Sequence, residues 1–213
     1  MNRWCVTVLM TASLMSVSGF FIQAAATEKE PENLAQLTLP VEIRAAYDTA
    51  WNEPLMPVFQ QAATGYQVPL DLLLILGRLG SGFEDRGGAP TIERGYGVMA
   101  LRENTLGGDS LALAASLTQV STDQLKVDPV ANIRGAAAVL DAYATDAGID
   151  RMAGIEAWAP VVEQYAGLDK ESSQIFTVGV YRYLQAGSVQ TNSKGETFRI
   201  APQALSIDPD TLG

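Results

Sequence analysis

The sequence predicts a mostly α-helical domain: about seven helices around one apolar central helix, with one long irregular loop. Segments with helix-start residues and apolar positions at helical spacing follow one another from residue 40 to 187. No convincing alternating strand run interrupts them. Residues 81–107 are rich in glycine and poor in helix signals, so we expect a loop there. The chain has 213 residues, 47% of them apolar, which is enough for one ordinary domain with its own core.

The first helices are predicted by their prolines, which favour the first turn of a helix. Pro40 opens one segment, and Pro54 and Pro57 lie near the start of the next. Pro69 opens the strongest segment, in which Leu72–Leu76 are apolar without a break. Such a run has no polar face, so we expect this helix to be central and buried.

The later helices are predicted by capping residues and by glycines that stop them. Asp109 or Ser110 caps one helix and Ser121 caps the next. A long amphipathic helix begins at residue 128 and stops at Gly148, and the last one ends at Gly187. Within the long loop, the stretch IERGYGVMA is the place for a small hairpin.

Both ends of the chain read as accessory segments. Residues 1–26 resemble an export signal, with a positive start, an apolar stretch and small residues at Ala24 and Ala26 for cleavage. The alternative is an uncleaved membrane anchor. Residues 27–39 are predicted to be a polar leader, residues 40–187 the domain, and residues 188–213 a polar tail or linker. We therefore expect a secreted, periplasmic or other cell-envelope protein.

Composition excludes several kinds of chemistry. The chain has 24 Asp and Glu against 14 Lys and Arg, a net charge of −10, which disfavours nucleic acid and anionic membranes as partners. It contains no histidine, so Ser-His-Asp and Cys-His catalysis are absent. Its one cysteine, Cys5, lies in the predicted signal. A hydrolase of this composition would depend on carboxylates, and we expect no metal and no cofactor.

Four segments, in order, resemble the lysozyme-like superfamily and in particular the lytic transglycosylases. They cover residues 60–186: AATGYQVPLDLLLILGRLGS looks like the approach to the active-site helix, GYGVMAL like its Gly-Leu-Met-Gln turn, DPVANIRGAAAVL like its Asp-Pro helix and EQYAG like its Ala-Tyr-Asn-Ala-Gly segment. The loop also resembles a subgroup attached to cell-wall amidases. The resemblance implies a lysozyme-like fold and peptidoglycan glycan strands as ligand.

The chain departs from that family at the centre of the site. Ser81 matches the serine of the family's Glu-Ser pair, so the catalytic glutamate should be residue 80, but the sequence has Gly80. Glycine cannot transfer a proton, and such transfer is typically worth about 10²- to 10⁴-fold in rate. Gly80 also has a simpler interpretation, as the left-handed residue that stops a helix.

Two carboxylates remain as candidate acids. Glu84 would share a helix face with residue 80 if the helix continued, although the two glycines argue against continuation and a solvated loop charge is the alternative. Glu93 precedes the GYG turn and would act from the opposite wall. Asp85 and Arg86 are expected to form surface contacts.

The resemblance also assigns a set of substrate-binding candidates. Each has a structural alternative: Tyr96 and Met99 line the cleft or pack the turn, Asn132 touches ligand or braces the long helix, and Tyr165 binds sugar or a backbone group. Trp158 is predicted to be core. Together with Ser81, the candidates are Tyr96, Met99, Asn132 and Tyr165.

Three functions stay open on this basis. The first is an exported domain that recognises peptidoglycan glycan strands with lost or weakened cleavage. The second is an active transglycosylase or muramidase that uses Glu84 or Glu93, and the third is a protein-interaction domain of the envelope. The domain is expected to be a monomer, away from the membrane once the signal is cleaved.

Overall fold

The computed structural model describes residues 54–103 and 108–212, and this part of the chain is mostly helical, as predicted. The expected signal (1–26), leader (27–39) and first helix from Pro40 lie outside the described residues. The seven α-helices that it contains are α1 (Leu55–Gly65), α2 (Leu70–Ser81), α3 (Ser110–Thr118), α4 (Thr122–Val127), α5 (Pro129–Asp146), α6 (Ala159–Ala166) and α7 (Lys170–Ala186). Short 3₁₀ helices span Ile155–Trp158 and Pro209–Thr211.

Helix α2 is buried along the apolar run that predicted it. Leu72–Leu76 are each at most 1% exposed. Pro69 precedes the first residue, and Asp71 places a negative charge at the positive end of the helix. The residue that ends the helix is Gly82, with φ 71° and ψ 24°, and not Gly80, which stays helical. The interpretation of Gly80 as the left-handed residue that stops the helix is therefore wrong, because Gly82 has that role two residues later.

Helix α5 lies against α1, α3, α4 and α6, and small residues allow this close packing. Asp128 caps it by accepting hydrogen bonds from the Val130 and Ala131 amides. A Cβ on Gly135 would lie 3.1 Å from Ala114 and from Leu125, so the neighbouring helices approach its bare backbone. The Asp109 and Ser121 caps on the preceding helices are also confirmed.

The predicted small hairpin is present in the long loop. Strand β1 (Gly95–Tyr96) pairs antiparallel with β2 (Leu101–Arg102), with Gly95 opposite Arg102 and Tyr96 opposite Leu101. The turn between them, residues 97–100, is buried. This loop therefore folds back against the end of α2.

The prediction of a polar tail or linker after residue 187 is wrong. Strands β3 (Ser188–Thr191) and β4 (Thr197–Ile200) form an antiparallel hairpin, and Phe198 and Ile200 are 1% and 4% exposed. Phe198 stacks on Phe83 with ring centroids 3.8 Å apart, and its edge meets Phe59 at 5.9 Å. The ring joins the core because one face of β4 is apolar, so the domain extends beyond residue 187.

The same hairpin supplies the cap of α1. Pro54 has no side chain able to accept the first helical amides, and the Glu196 carboxylate accepts from the Leu55 and Met56 amides, both at 2.8 Å. A carboxylate at a helix N-terminus is also attracted by the positive end of the helix dipole, which stabilises the helix. No helix in the described ranges is long and apolar enough to cross a bilayer.

Candidate functional site

Position 80 lies in the last turn of α2, where it faces the turn between β1 and β2. A Cβ built on Gly80 would be 2.9 Å from the Ala100 Cβ and 3.4 Å from the Met99 carbonyl oxygen. Both atoms are fixed to the backbone of the turn, so a side chain at residue 80 requires that the turn move. The position at which the resemblance would place an acid is thus in close contact with Ala100.

The turn from residue 97 to 100 depends on Asn132. The Asn132 Oδ1 accepts from the Met99 amide at 2.7 Å, and its Nδ2 donates to the carbonyls of Tyr96 and Leu125 at 3.0 and 2.9 Å. Asn132 is fully buried. Gly97 is required beside it, since φ is +68° and a Cβ would come within 2.4 Å of the amide. Asn132 therefore braces the loop, and its donors and its amide oxygen are all engaged.

Ser81 and Tyr165 hold the same turn from two other helices. The Ser81 hydroxyl donates to the Val98 carbonyl at 2.6 Å and accepts from the Glu84 amide at 3.1 Å. The Tyr165 hydroxyl donates to the Met99 carbonyl at 2.9 Å. Burial raises the pKa of the Tyr165 phenol, because the phenolate would lose its hydration, so the group remains a neutral donor. Both motif residues thus bind the backbone of the turn.

Glu93 and Gly80 line the same cavity, which has a volume of about 20 Å³. Tyr165, Arg102 and Met99 contribute to its wall. A space of this size holds about one water molecule and excludes a sugar ring. The sequence interpretation placed Glu93 on the wall opposite residue 80, and the structure brings the two residues to one cavity.

The Glu93 carboxylate is paired with Arg102. Arg102 Nη2 lies 2.7 Å from Glu93 Oε2, and Nη1 donates to the Glu93 carbonyl at 2.9 Å. The Arg102 side chain is 9% exposed and that of Glu93 is 63% exposed. Arg102 therefore binds both the carboxylate and the backbone carbonyl of Glu93. Arg102 was not predicted to belong to the site, because nothing in the sequence marks the second residue of a two-residue strand as buried.

Glu84 is not among the residues that line this cavity. Its two oxygens accept from the amide and the hydroxyl of Ser193, in the turn of the β3–β4 hairpin. Because α2 ends at Ser81, the continued helix that would bring Glu84 onto the face of residue 80 does not form. Glu84 therefore links the loop that follows α2, residues 82–103, to the β3–β4 hairpin. We call this loop the cleft loop.

Tyr96 and Met99 differ in exposure. Met99 is 1% exposed and packs in the core. Tyr96 is half-buried, and its hydroxyl donates to Glu103 at 3.2 Å. The Lys126 ammonium lies 4.5 Å from the centre of the Tyr96 ring, where it covers one face. Of the predicted binding residues, Tyr96 is thus the one that combines an aromatic ring with a partly accessible position.

Asp85 is not the surface residue that the sequence suggested. Its Oδ1 accepts from the Gly87 amide at 3.1 Å, whereas Oδ2 is buried without a hydrogen-bond partner. Burial, with the nearby charge of Asp128, raises the pKa of Asp85 to about 7. This carboxyl is therefore half protonated near neutral pH, which no feature of the loop sequence indicated.

The described residues contain no group of three or more His, Cys, Asp or Glu placed to hold a metal ion. Comparisons of the chain with protein-family models, with curated proteins and with solved structures give no significant match. The lysozyme-like resemblance accordingly rests on the four sequence motifs alone.

Proposed function

We propose that this protein is an exported lysozyme-like domain that recognises peptidoglycan glycan strands and does not cleave them. The observation that carries the proposal is the closed contact between Gly80 and Ala100, at the position where the resembling enzymes hold their acid. The domain then acts as a binding or targeting module of the cell envelope.

The bracing of the site supports a retained scaffold. Ser81, Asn132 and Tyr165 come from α2, α5 and α6, and each makes a hydrogen bond to the backbone of residues 96–99. These are three of the residues that match the family motifs. In this proposal the motif residues keep a structural task, which is to fix the loop after α2 against the helices.

The chemistry of the same site supports the loss of cleavage. General acid catalysis needs a protonated group within hydrogen-bond reach of the glycosidic oxygen. Residue 80 offers no such group, Glu84 faces Ser193, and Glu93 is paired with Arg102 beside a cavity of about 20 Å³. Cleavage at this point would require both a wider cavity and the release of the Glu93 carboxylate from Arg102.

A weak glycosidase that uses Glu93 is the second candidate. It is favoured by one observation, which is that Glu93 shares its cavity with Gly80 and Tyr165. In that case Arg102 would have to release the carboxylate when the glycan binds.

Binding can be tested by co-sedimentation of the purified protein with protein-free peptidoglycan. We expect the protein to sediment with the wall and soluble glycan fragments to displace it. Because an acidic protein is repelled by an anionic wall, raising the salt from about 0.15 M to about 0.5 M should preserve or strengthen the binding. Protein that stays in the supernatant at both salt concentrations contradicts the proposal and favours a protein partner.

The variant Tyr96→Ala locates the binding surface. We expect it to weaken sedimentation with the wall by up to about tenfold, since aromatic ring contacts contribute about 0.5–1.5 kcal/mol. Tyr183→Ala is the matched control, because Tyr183 is a partly exposed tyrosine on α7 that stacks under Arg78 at 4.0 Å. Equal effects of the two changes would contradict a site at the cleft loop.

A further inference from the structure

Helix α7 carries a stripe of residues at helical spacing that has the accessible apolar side chains of Ile175 and Val178 at its centre. Its residues line one hollow of about 480 Å³. Ile175 is 66% exposed, a high value for a large apolar side chain. The residues of this α7 stripe are Glu171, Gln174, Ile175, Val178, Gly179 and Arg182.

Gly179 is the unusual member of the stripe. Glycine in a helix interior costs roughly 1 kcal/mol relative to alanine, and Gly179 lies in the middle of a 17-residue helix. Among the described residues, nothing lies within 4 Å of a Cβ built there. Packing inside the described part of the domain therefore does not require the glycine, whereas a second helix could approach the bare backbone closely.

The order of residues in the stripe is self-complementary. When two copies of a helix lie antiparallel about a two-fold axis, residues whose numbers have a constant sum face each other. With the axis between residues 176 and 177, Ile175 faces Val178 of the other copy and Gln174 faces Gly179. The same register places Glu171 opposite Arg182, so that apolar residues meet at the centre and opposite charges meet at both ends.

We propose that the α7 stripe binds the α7 stripe of a second copy of this chain in an antiparallel pair. A single helical face buries less area than an obligate dimer, so the association is weak and depends on concentration. It is independent of the glycan-binding proposal, since α7 contributes the stripe from its outer face. The dimer replaces the monomer expected from the sequence.

Reversing the charges of Glu171 and Arg182 tests the proposed dimer. Sedimentation velocity of the purified protein from about 1 µM to about 1 mM should show the mass rising from one chain to two. Glu171→Arg and Arg182→Glu should each weaken dimerisation about tenfold, because like charges then face each other. The double variant should restore it to within about threefold. Within one chain the two positions are 11 residues, or about 16 Å, apart along the helix, so the rescue must come from contact between copies.

Two controls separate dimerisation from local effects. Arg182 also pairs with Asp210 at 2.7 Å, so Asp210→Asn removes that ion pair and should leave dimerisation intact. Ile175→Ser should weaken the dimer, whereas Ile92→Ser, at an isoleucine that is fully exposed in the cleft loop, should not. A protein that remains one chain at 1 mM, or single reversals without effect, or a double variant without rescue, would each overturn the proposal.

Discussion

At the scale of single residues, the proposed loss of cleavage depends most on Gly80. The absence of an acid at position 80 was visible in the sequence, but what lies against this residue was not. Ala100 lies against it, in a left-handed conformation with φ +51°, and Glu93 is paired with Arg102. Gly80, Ala100 and this ion pair all line the same small cavity.

The contact at Gly80 predicts opposite effects for two glycine-to-alanine changes in helices. Gly80→Ala should lower the free energy of unfolding by about 1 kcal/mol, because overpacking exceeds the gain in helix propensity. Gly179→Ala should raise the free energy of unfolding by about 0.5–1 kcal/mol, because no described residue lies within 4 Å of the added Cβ. Urea denaturation at low micromolar concentration measures both. Shifts in the same direction for the two variants would show that Ala100 does not close the site.

Asp85 predicts an unusual pH dependence of stability. Its pKa is about 7 in the folded protein and about 3.9 in an unfolded chain, so the folded state binds the extra proton between these values. The free energy of unfolding should therefore be higher at pH 5 than at pH 8, by on the order of 2–3 kcal/mol. The chain has no histidine to obscure this range.

The variant Asp85→Asn isolates that effect. It should be more stable than the parent at pH 8 and should flatten the dependence between pH 5 and 8. Chemical denaturation at a series of pH values gives the curve. A parent protein whose stability is constant over this range would mean that Asp85 is ionised and solvated.

At the scale of elements, helices were predicted well and the last hairpin was missed. The helix signals are local: Asp109, Ser121 and Pro69 act within one turn of the residues they cap. The hairpin also had a local signal, since Thr197–Ile200 alternates polar and apolar around the glycine-containing turn at Gly195. This alternation covers only four residues in a polar segment, so it did not predict a strand. Only the tertiary contacts show that Phe198 lies in the core and that Glu196 caps α1.

Because the hairpin packs on the core, substitutions at contact residues within 188–200, which were expected to lie in a linker, should lower the stability of the domain. Phe198→Ala should cost about 3–5 kcal/mol, because it leaves a cavity between Phe59 and Phe83. Glu196→Gln should cost about 1 kcal/mol through the weakened cap of α1. Thermal unfolding compares them with Val189→Ala, an exposed position in the same hairpin that should change little. A Phe198→Ala protein as stable as the parent would contradict the extension of the domain past residue 187.

At the scale of the whole molecule, the sequence allowed the fold class to be predicted, but not the state of the site. Ser81, Asn132 and Tyr165 were binding candidates with structural alternatives, and only the structure shows that all three hydrogen-bond to one turn. The Arg102–Glu93 pair and the buried Asp85 depend on how a glycine-rich loop folds back, which has no periodic signal. The account as a whole is that of a retained scaffold around a closed catalytic position.

Muropeptide release tests this account most directly. The purified protein is incubated with intact peptidoglycan, and the soluble products are analysed by mass spectrometry alongside Glu93→Gln and Glu84→Gln variants. We predict no release above a protein-free control for any of the three proteins, while the parent sediments with the wall. Products that end in anhydro-muramic acid, or in a reducing sugar, and that disappear with Glu93→Gln would contradict the account and identify Glu93 as a working acid.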